Sequence, residues 1–390
     1  MLNQLNKLIT TFKTGYRLWR IKERYLSDGH KNIHGSFYIK NNISAYLSYF
    51  LFVYFNPIHY GQWIRKFPQK TNSLSDLEIE VFESLIKTFK GDSSHWTGFI
   101  NSGASMGNFY SLLLCKNWFL SRGYKKINLV HTQLSHHSII SSAKILDFDL
   151  NKIKLTDKWV MDINKLKKNL SNLNKDEAVC IFLTWGYKKT GTSDKLIAIQ
   201  NIIDELKINN QVCICLDAAF DGLITPFSPK AIKPLATSSL FTMTLDFHKY
   251  LGIPAPAGGI LLRKNILPED KFIAQGLSET KSLLPAIATW SSLVGNKQTV
   301  KLKKQIIKAQ SLRDYFINQL KASRSIELIY HPSNISLLFS CNHKQFSRLE
   351  AVADLYPLRC FKQRNTYWIK IIFLPQLSKT ELNKLLSKIL

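Results

Sequence analysis

Between residues 127 and 262 the apolar residues come in short unbroken runs, not in alternation with polar ones. Ile127-Asn128-Leu129-Val130, Cys180-Ile181-Phe182-Leu183-Thr184, Val212-Cys213-Ile214-Cys215-Leu216, the run 239–244 and Gly259-Ile260-Leu261-Leu262 carry apolar side chains at both odd and even positions. A strand that reads this way is covered on both faces, as in a parallel sheet sandwiched by helices. Helical spacing fills the gaps at 139–146 and 193–207. The alternation predicts an α/β domain with a mostly parallel central sheet.

Upstream, Leu77, Ile79, Val81, Phe82, Leu85, Ile86 and Phe89 predict a helix over 74–90, with Ser73 and Ser75-Asp76 as N-caps and Gly91-Asp92 as its end. A second helix is predicted over 109–120. Residues 43–55 are rich in Tyr, Phe and Leu and are closed by Asn56-Pro57. A membrane-spanning helix needs ~20 apolar residues, so this shorter run is read as a buried or dimer-facing helix. A surface resting on a membrane is its alternative. Residues 1–40 mix Lys and Arg with Leu, Ile, Phe and Trp, the pattern of an amphipathic arm and not of a signal peptide. Beyond residue 290 the pattern changes to a long helix (305–320), strands at 326–330, 335–339 and 367–373, and a closing helix (379–390). The division expected is an N-terminal helical arm (1–60), a large domain (61–290) and a small C-terminal α+β domain (291–390).

Composition adjusts this picture only a little. A chain of 390 residues that is 45% hydrophobic can bury a large core. Its net charge of +26 would suit an acidic partner, yet the lysines are spread along the chain with no run of five. Diffuse surface charge is the reading taken, and no nucleic-acid partner is expected. The six cysteines show no CxxC pair and no His/Cys metal spacing. They read as small buried hydrophobes of a reducing compartment, the cytoplasm. Cys213 and Cys215 share one strand face and are assigned to the core; no metal is expected.

In parallel sheets the chemistry gathers at the carboxyl ends of the strands. Thr184, Asp217 and Lys249 all fall there. Lys249 follows a buried strand and precedes a Pro/Gly-rich loop, where partial desolvation would make its amine a nucleophile toward an aldehyde. The plain alternative is a solvated lysine at a strand-to-loop junction. The small-residue turn Ser102-Gly103-Ala104-Ser105 opens a helix, which makes it an anion site. Asp217 can pair with a pyridinium nitrogen or cap a strand end. His136 can stack on a ring or simply open a helix. A lysine bound to pyridoxal phosphate needs all three supports: a carboxylate, a stacking side chain and a phosphate cradle.

Ser102-Gly103-Ala104-Ser105-Met106-Gly107-Asn108, Ser135-His136-His137-Ser138 with Ala143-Lys144, Asp217-Ala218-Ala219-Phe220 and Asp246-Phe247-His248-Lys249-Tyr250 with Gly258 together resemble the group II pyridoxal-phosphate-dependent amino acid decarboxylases. The histidine-decarboxylase-like members are the nearest in pattern, over roughly residues 55–265. The resemblance implies a fold-type I pyridoxal-phosphate transferase fold and pyridoxal 5'-phosphate as cofactor. It implies a homodimer with a shared active site, and decarboxylation of an L-amino acid to the amine and CO₂. Lys249 would be the Schiff-base lysine, Asp217 the pyridinium partner and His136 the stacking ring, with Ala219 on the opposite ring face. Gly103, Ala104, Ser105 and His248 would hold the phosphate, and Thr184 would lie near the ring. A same-fold enzyme of another class (lyase, aminotransferase, oxidative decarboxylase) and a non-enzymatic descendant are the alternatives. The family's Gly-Gly-Thr-Glu turn is here Gly103-Ala104-Ser105-Met106, and its Gly-Thr-Thr loop is replaced by Gly186-Tyr187-Lys188-Lys189-Thr190-Gly191. Its Ser-Arg-Asn-Gly-His type segment is replaced by Lys281-Ser282-Leu283-Leu284-Pro285-Ala286-Ile287.

Overall fold

The computed structural model describes residues 42–60, 66–228, 233–253, 256–267, 280–295, 298–321, 326–353, 355–363 and 365–390, with Tyr16 and Arg20 ahead of them. The arm expected over residues 1–40 otherwise lies outside the described residues. In chain order the strands are β1 (Ile58–Tyr60), β2 (Trp96–Asn101), β3 (Lys126–Thr132), β4 (Asp149–Ile153), β5 (Glu177–Thr184), β6 (Val212–Asp217), β7 (Leu240–Asp246), β8 (Gly258–Arg263), β9 (Thr280–Ser282), β10 (Leu328–Ile329), β11 (Ser336–Cys341), β12 (Leu358–Gln363) and β13 (Thr366–Ile372).

Seven of them form the central sheet, in the order β2-β8-β7-β6-β5-β3-β4. The run from β7 to β4 is parallel, as the unbroken apolar segments predict. The two faces are read directly from β5. Ala178, Cys180 and Phe182 enter one apolar core, and Val179, Ile181 and Leu183 enter the other. Helices Ala104–Leu120 and His137–Ile145 cover the first face; Leu74–Thr88, Leu196–Leu206 and Leu284–Leu293 contribute to the core on the second. Each fully buried Leu, Ile or Phe in these layers contributes about 1.5–3 kcal/mol.

Several expectations change. β8, read as one more strand of the parallel set, runs antiparallel to β7 and to β2. Only the single helical turn Phe247–Tyr250 stands between β7 and β8 among the described residues, too little for the crossover that a parallel direction needs. β2 and the polar edge strand β4 were not foreseen. In β4 only Ile153 is buried, so its sequence lacks the apolar run that marks the inner strands. The helix predicted over 43–55 as buried or dimer-facing forms as Ile43–Val53; within this chain Ile43, Leu47, Phe50 and Leu51 are exposed and Ala45 alone of the helix is buried. Among the described residues no helix is long and apolar enough to cross a membrane.

The C-terminal region is a four-stranded antiparallel sheet, β10-β11-β13-β12, backed by the helices Gln298–Leu320 and Lys379–Ile389. The long helix starts at Gln298 and not at 305, and the strand predicted over 326–330 shrinks to β10. β12 and the helix His343–Glu350 are additional.

Candidate active site

The carboxyl ends of β5, β6 and β7 lie side by side, with Thr184 in register with Asp217 and Asp217 with Thr244. β7 stops at Asp246, and the single turn Phe247–Tyr250 begins at once. That turn brings Lys249 back over the strand end, where its Nζ is 2.5 Å from Asp246 Oδ2. The lysine keeps 29% of its side-chain exposure while Asp246 keeps 7%. The amine is therefore partly desolvated, as the sequence suggests, and held in an ion pair at the lip of the site.

Asp246 was not among the predicted site residues, although it stands in the same motif. Its second oxygen, Oδ1, accepts the Ala104 N–H at 2.7 Å. His248 Nδ1 lies 3.8 Å from that oxygen and 2.9 Å from the Ala257 carbonyl. One carboxylate thus ties Lys249 to the first turn of the helix Ala104–Leu120. The spacing of an acid three residues before the lysine was the available signal.

The small-residue turn takes the conformation that its sequence allows. Gly103 sits at φ +135°, in the region that favours glycine, and its missing Cβ would stand 3.5 Å from Asp246 Oδ1 and 3.8 Å from His248 Cε1. Gly103, Ala104 and His248 are thereby brought together. Ser105 follows on the first turn of the helix and is exposed. The Ala104 N–H, expected to face a phosphate, is occupied by Asp246.

Asp217 is buried at the end of β6 and accepts from Ala219 N–H at 3.1 Å and from Asn108 Nδ2 at 3.2 Å. Burial raises its pKa above the usual carboxylate value, against the opposing pull of the nearby Lys249 ammonium. Asn108 is the second residue that the sequence reading missed as a site residue. It accepts from the Thr244 hydroxyl at 2.9 Å and donates to Ser138 Oγ at 3.1 Å, and Ser138 Oγ is 2.8 Å from His136 Nδ1. His136 caps the helix His137–Ile145, and its Nδ1 accepts from the Ser138 N–H. Burial lowers the His136 pKa, so a neutral, flat imidazole faces the site. The charges of Asp217, His136 and Lys249 act on one another across this space. Thr184 is buried beside Asp217, with its N–H donated to Asp194 Oδ2 at 3.0 Å.

The loop that departs from the family pattern has its own structural logic. Tyr187 is buried, donates to Asp194 Oδ2 at 2.6 Å and lies 2.9 Å from the Thr132 hydroxyl. Lys370 of β13 reaches in from the small sheet, donates to the Lys188 carbonyl at 3.0 Å and lies 4.1 Å from the centre of the Phe220 ring. The 281–287 segment is likewise structural. Lys281 Nζ forms an ion pair with Glu78 beneath β2, β9 pairs with β1, and the helix Leu284–Leu293 follows.

Comparison with known proteins gives this geometry a context. Residues 74–310 match the family described as the pyridoxal-dependent decarboxylase conserved domain, more than half of the chain. The chain belongs to this family. Its cofactor is accordingly pyridoxal 5'-phosphate, and its class is that of the amino acid carboxy-lyases. It is similar to histidine decarboxylase of Vibrio campbellii, 22% identical over 77% of this chain and 78% of the relative. Other relatives carry the names of L-tyrosine/L-aspartate, L-aspartate and serine decarboxylases. Among solved structures, L-methionine decarboxylase from Streptomyces sp.590 aligns with a TM-score of 0.74 at 14% identity, covering 96% of this chain and 94% of that one. Sphingosine-1-phosphate lyase of Burkholderia pseudomallei aligns with a TM-score of 0.75 at 13% identity, covering 96% and 89%. These likenesses show the fold of fold-type I pyridoxal-phosphate enzymes.

The residues present fit the cofactor. Asp217 is a buried carboxylate whose two oxygens each receive a single neutral donor, which leaves lone pairs for a cationic ring nitrogen. Gly103 leaves its side-chain space open beside His248.

Proposed function

We propose that the chain decarboxylates a small polar L-amino acid, histidine-like in kind, at a site built from Lys249, Asp217 and His136. The observation that supports this most is the convergence of the three groups: Asp217 and Lys249 follow the adjacent strands β6 and β7, and Asn108 links Asp217 to Ser138, whose hydroxyl meets His136. Pyridoxal phosphate supplies the electron sink for breaking the bond between Cα and the carboxylate. Lys249 would hold the cofactor through its amine and could carry a proton at Nζ, steadied by Asp246 Oδ2. Asp217 would hold positive charge at the ring nitrogen, and its burial keeps water from competing for that position. The neutral His136 ring would cover one face and Ala219 the other. Gly103, Ser105 and His248 would take the phosphate, the Ala104 N–H being engaged by Asp246, and Thr184 would lie beside the ring.

The exposed apolar face of Ile43–Val53 supports a homodimer, and the six free cysteines support a cytoplasmic setting. The structural use of Lys281 favours, as the second reading, a same-fold enzyme of another reaction class. Lys249→Ala decides the first point. The variant should lose the visible absorbance of the bound cofactor together with all turnover, and wild-type absorbance and activity would refute the assignment. Offering amino acids singly and measuring CO₂ against aldehyde, keto acid or ammonia separates the two readings.

A further inference from the structure

Four of the chain's six cysteines, Cys115, Cys180, Cys213 and Cys215, meet at one point. Their Sγ atoms all lie within 4.8 Å of one another. Cys215 Sγ is 3.4 Å from Cys115 Sγ and 3.5 Å from Cys180 Sγ. The helix Ala104–Leu120 supplies the first, β5 the second and one face of β6 the other two. All four are completely buried. Spacing along the chain gave no hint of this, because the ligands converge through the sheet and not through a local motif.

Packing between a sheet and a helix asks only for small apolar side chains. It does not ask that thiols, scarce in this chain, share one centre while Leu, Ile and Phe fill the surrounding core. Four soft sulfurs around a point form the tetrahedral donor set of a thiophilic d10 cation; bonds of about 2.3 Å place such sulfurs about 3.8 Å apart. The separations seen bracket that value, and side-chain adjustments below about 1 Å would close the shell. A second observation points the same way. Thr242, in register with Cys215, is fully buried, and its hydroxyl has no oxygen or nitrogen partner among the described residues. As the register neighbour of Cys215 it stands on the same face of the sheet, where an O–H donor would support a thiolate.

We propose that this cluster is a structural site for one thiophilic cation, zinc(II), taken up as the chain folds. The four S–H groups give up their protons, four metal–sulfur bonds form, and no electrons are transferred. Cys215 stands two residues before Asp217, and Cys115 lies on the helix that carries Asn108. The metal would therefore fix that helix against the strand end that serves the active site. This inference stands independently of the substrate.

The test is the metal content of the full-length, cofactor-loaded protein produced in zinc-supplemented medium and dialysed against a chelator. About one zinc per chain is expected, held through dialysis because the site is closed. Cys180→Ser and Cys213→Ala should each reduce it at least tenfold, whereas Cys341→Ala, outside the cluster, should leave it unchanged. Protein made in cobalt should show the ligand-field bands of a tetrahedral thiolate site, a readout that stands even if the variants fail to fold. A folded wild-type protein with less than about a tenth of a metal per chain would overturn the proposal, as would a disulfide between Cys115 and Cys215.

Discussion

Gly258→Ala isolates the Gly103 turn, proposed to take the phosphate, from the rest of the site. Gly258 lies between two strands, in register with Asn101 on one side and Asp246 on the other. An added Cβ would stand 2.7 Å from Gly103 Cα, Gly103 C and Leu245 O. Those are backbone atoms with no rotamer to yield, and ordinary carbon packing begins near ~3.5 Å. Gly103 must therefore retreat by about 0.8 Å, which stretches the 2.7 Å bond from Ala104 N–H to Asp246 toward the limit of useful geometry. Overpacking of this kind costs about 1–3 kcal/mol, and a lost hydrogen bond to a charged group about 1.5–3 kcal/mol more. Each hydrogen bond from the displaced turn to the phosphate that fails to form should weaken cofactor binding about 10- to 100-fold. The assay is titration of cofactor-free protein with pyridoxal phosphate, followed by visible absorbance, beside thermal unfolding of the same sample. Gly123→Ala serves as the control. Gly123 sits at φ +82° with nothing within 4 Å of an added Cβ, so its replacement strains the backbone without touching the turn. If folded Gly258→Ala binds the cofactor as tightly as the control does, the assignment of Gly103 to the phosphate turn is wrong.

Asn108→Ala removes the link between Asp217 and Ser138 and should lower turnover about 100-fold at saturating cofactor, as expected when a catalytic group loses its orientation. Turnover within a few-fold of wild type at full occupancy would show that His136 and Asp217 are positioned without it. Two buried groups behind the site set a pH dependence of stability. Burial pushes Asp221 up to about 6 from its ordinary 3.8, so its contribution is present at low pH and is lost as pH rises through about 6. Burial brings Lys370 down to about 7 from 10.5, so the unfolded chain binds more protons between those values and stability rises with pH across that interval. Asp221→Asn should flatten the fall on the acid side and Lys370→Met the rise on the alkaline side. Urea unfolding midpoints across both intervals check this, and a slope unchanged in either variant would exclude burial of that group as its cause.

The parallel core was legible because burial on two faces writes itself into β5, β6 and β7 as unbroken apolar runs. The antiparallel direction of β8 was not, since Gly259-Ile260-Leu261-Leu262 is equally apolar whichever way the strand runs. Edge strand β4 escaped because solvent on one side lets Asp149, Asn151 and Lys152 stand in it. Within the site, Lys249, Asp217 and His136 could be singled out by residue type at strand and helix ends. Asn108 and Asp246 are polar residues whose importance lies in what they join across the sheet, and a linear sequence does not display such joins. The same holds for the cysteine cluster, whose members lie as far apart in sequence as Cys115 and Cys215. The exposed helix Ile43–Val53 marks the opposite limit. Its apolar run predicts burial correctly only if the surface that buries it belongs to the same chain.

These joins converge on one element. The helix Ala104–Leu120 holds Asp246 at its first N–H, Asp217 and Ser138 through Asn108, and the sulfur cluster through Cys115. Gly107 lets it settle on β7, since a Cβ there would lie 2.8 Å from Thr244 Cγ2. Thr244 in turn donates to Asn108, so close approach and hydrogen bonding occur on the same turn of the helix. A shift of this helix along its axis would move the Gly103 turn and the partner of Asp217 together, while Lys249 would follow only through Asp246. Cofactor binding and turnover should therefore fail in concert when the helix is displaced, and separately when Asp246 or Asn108 alone is changed.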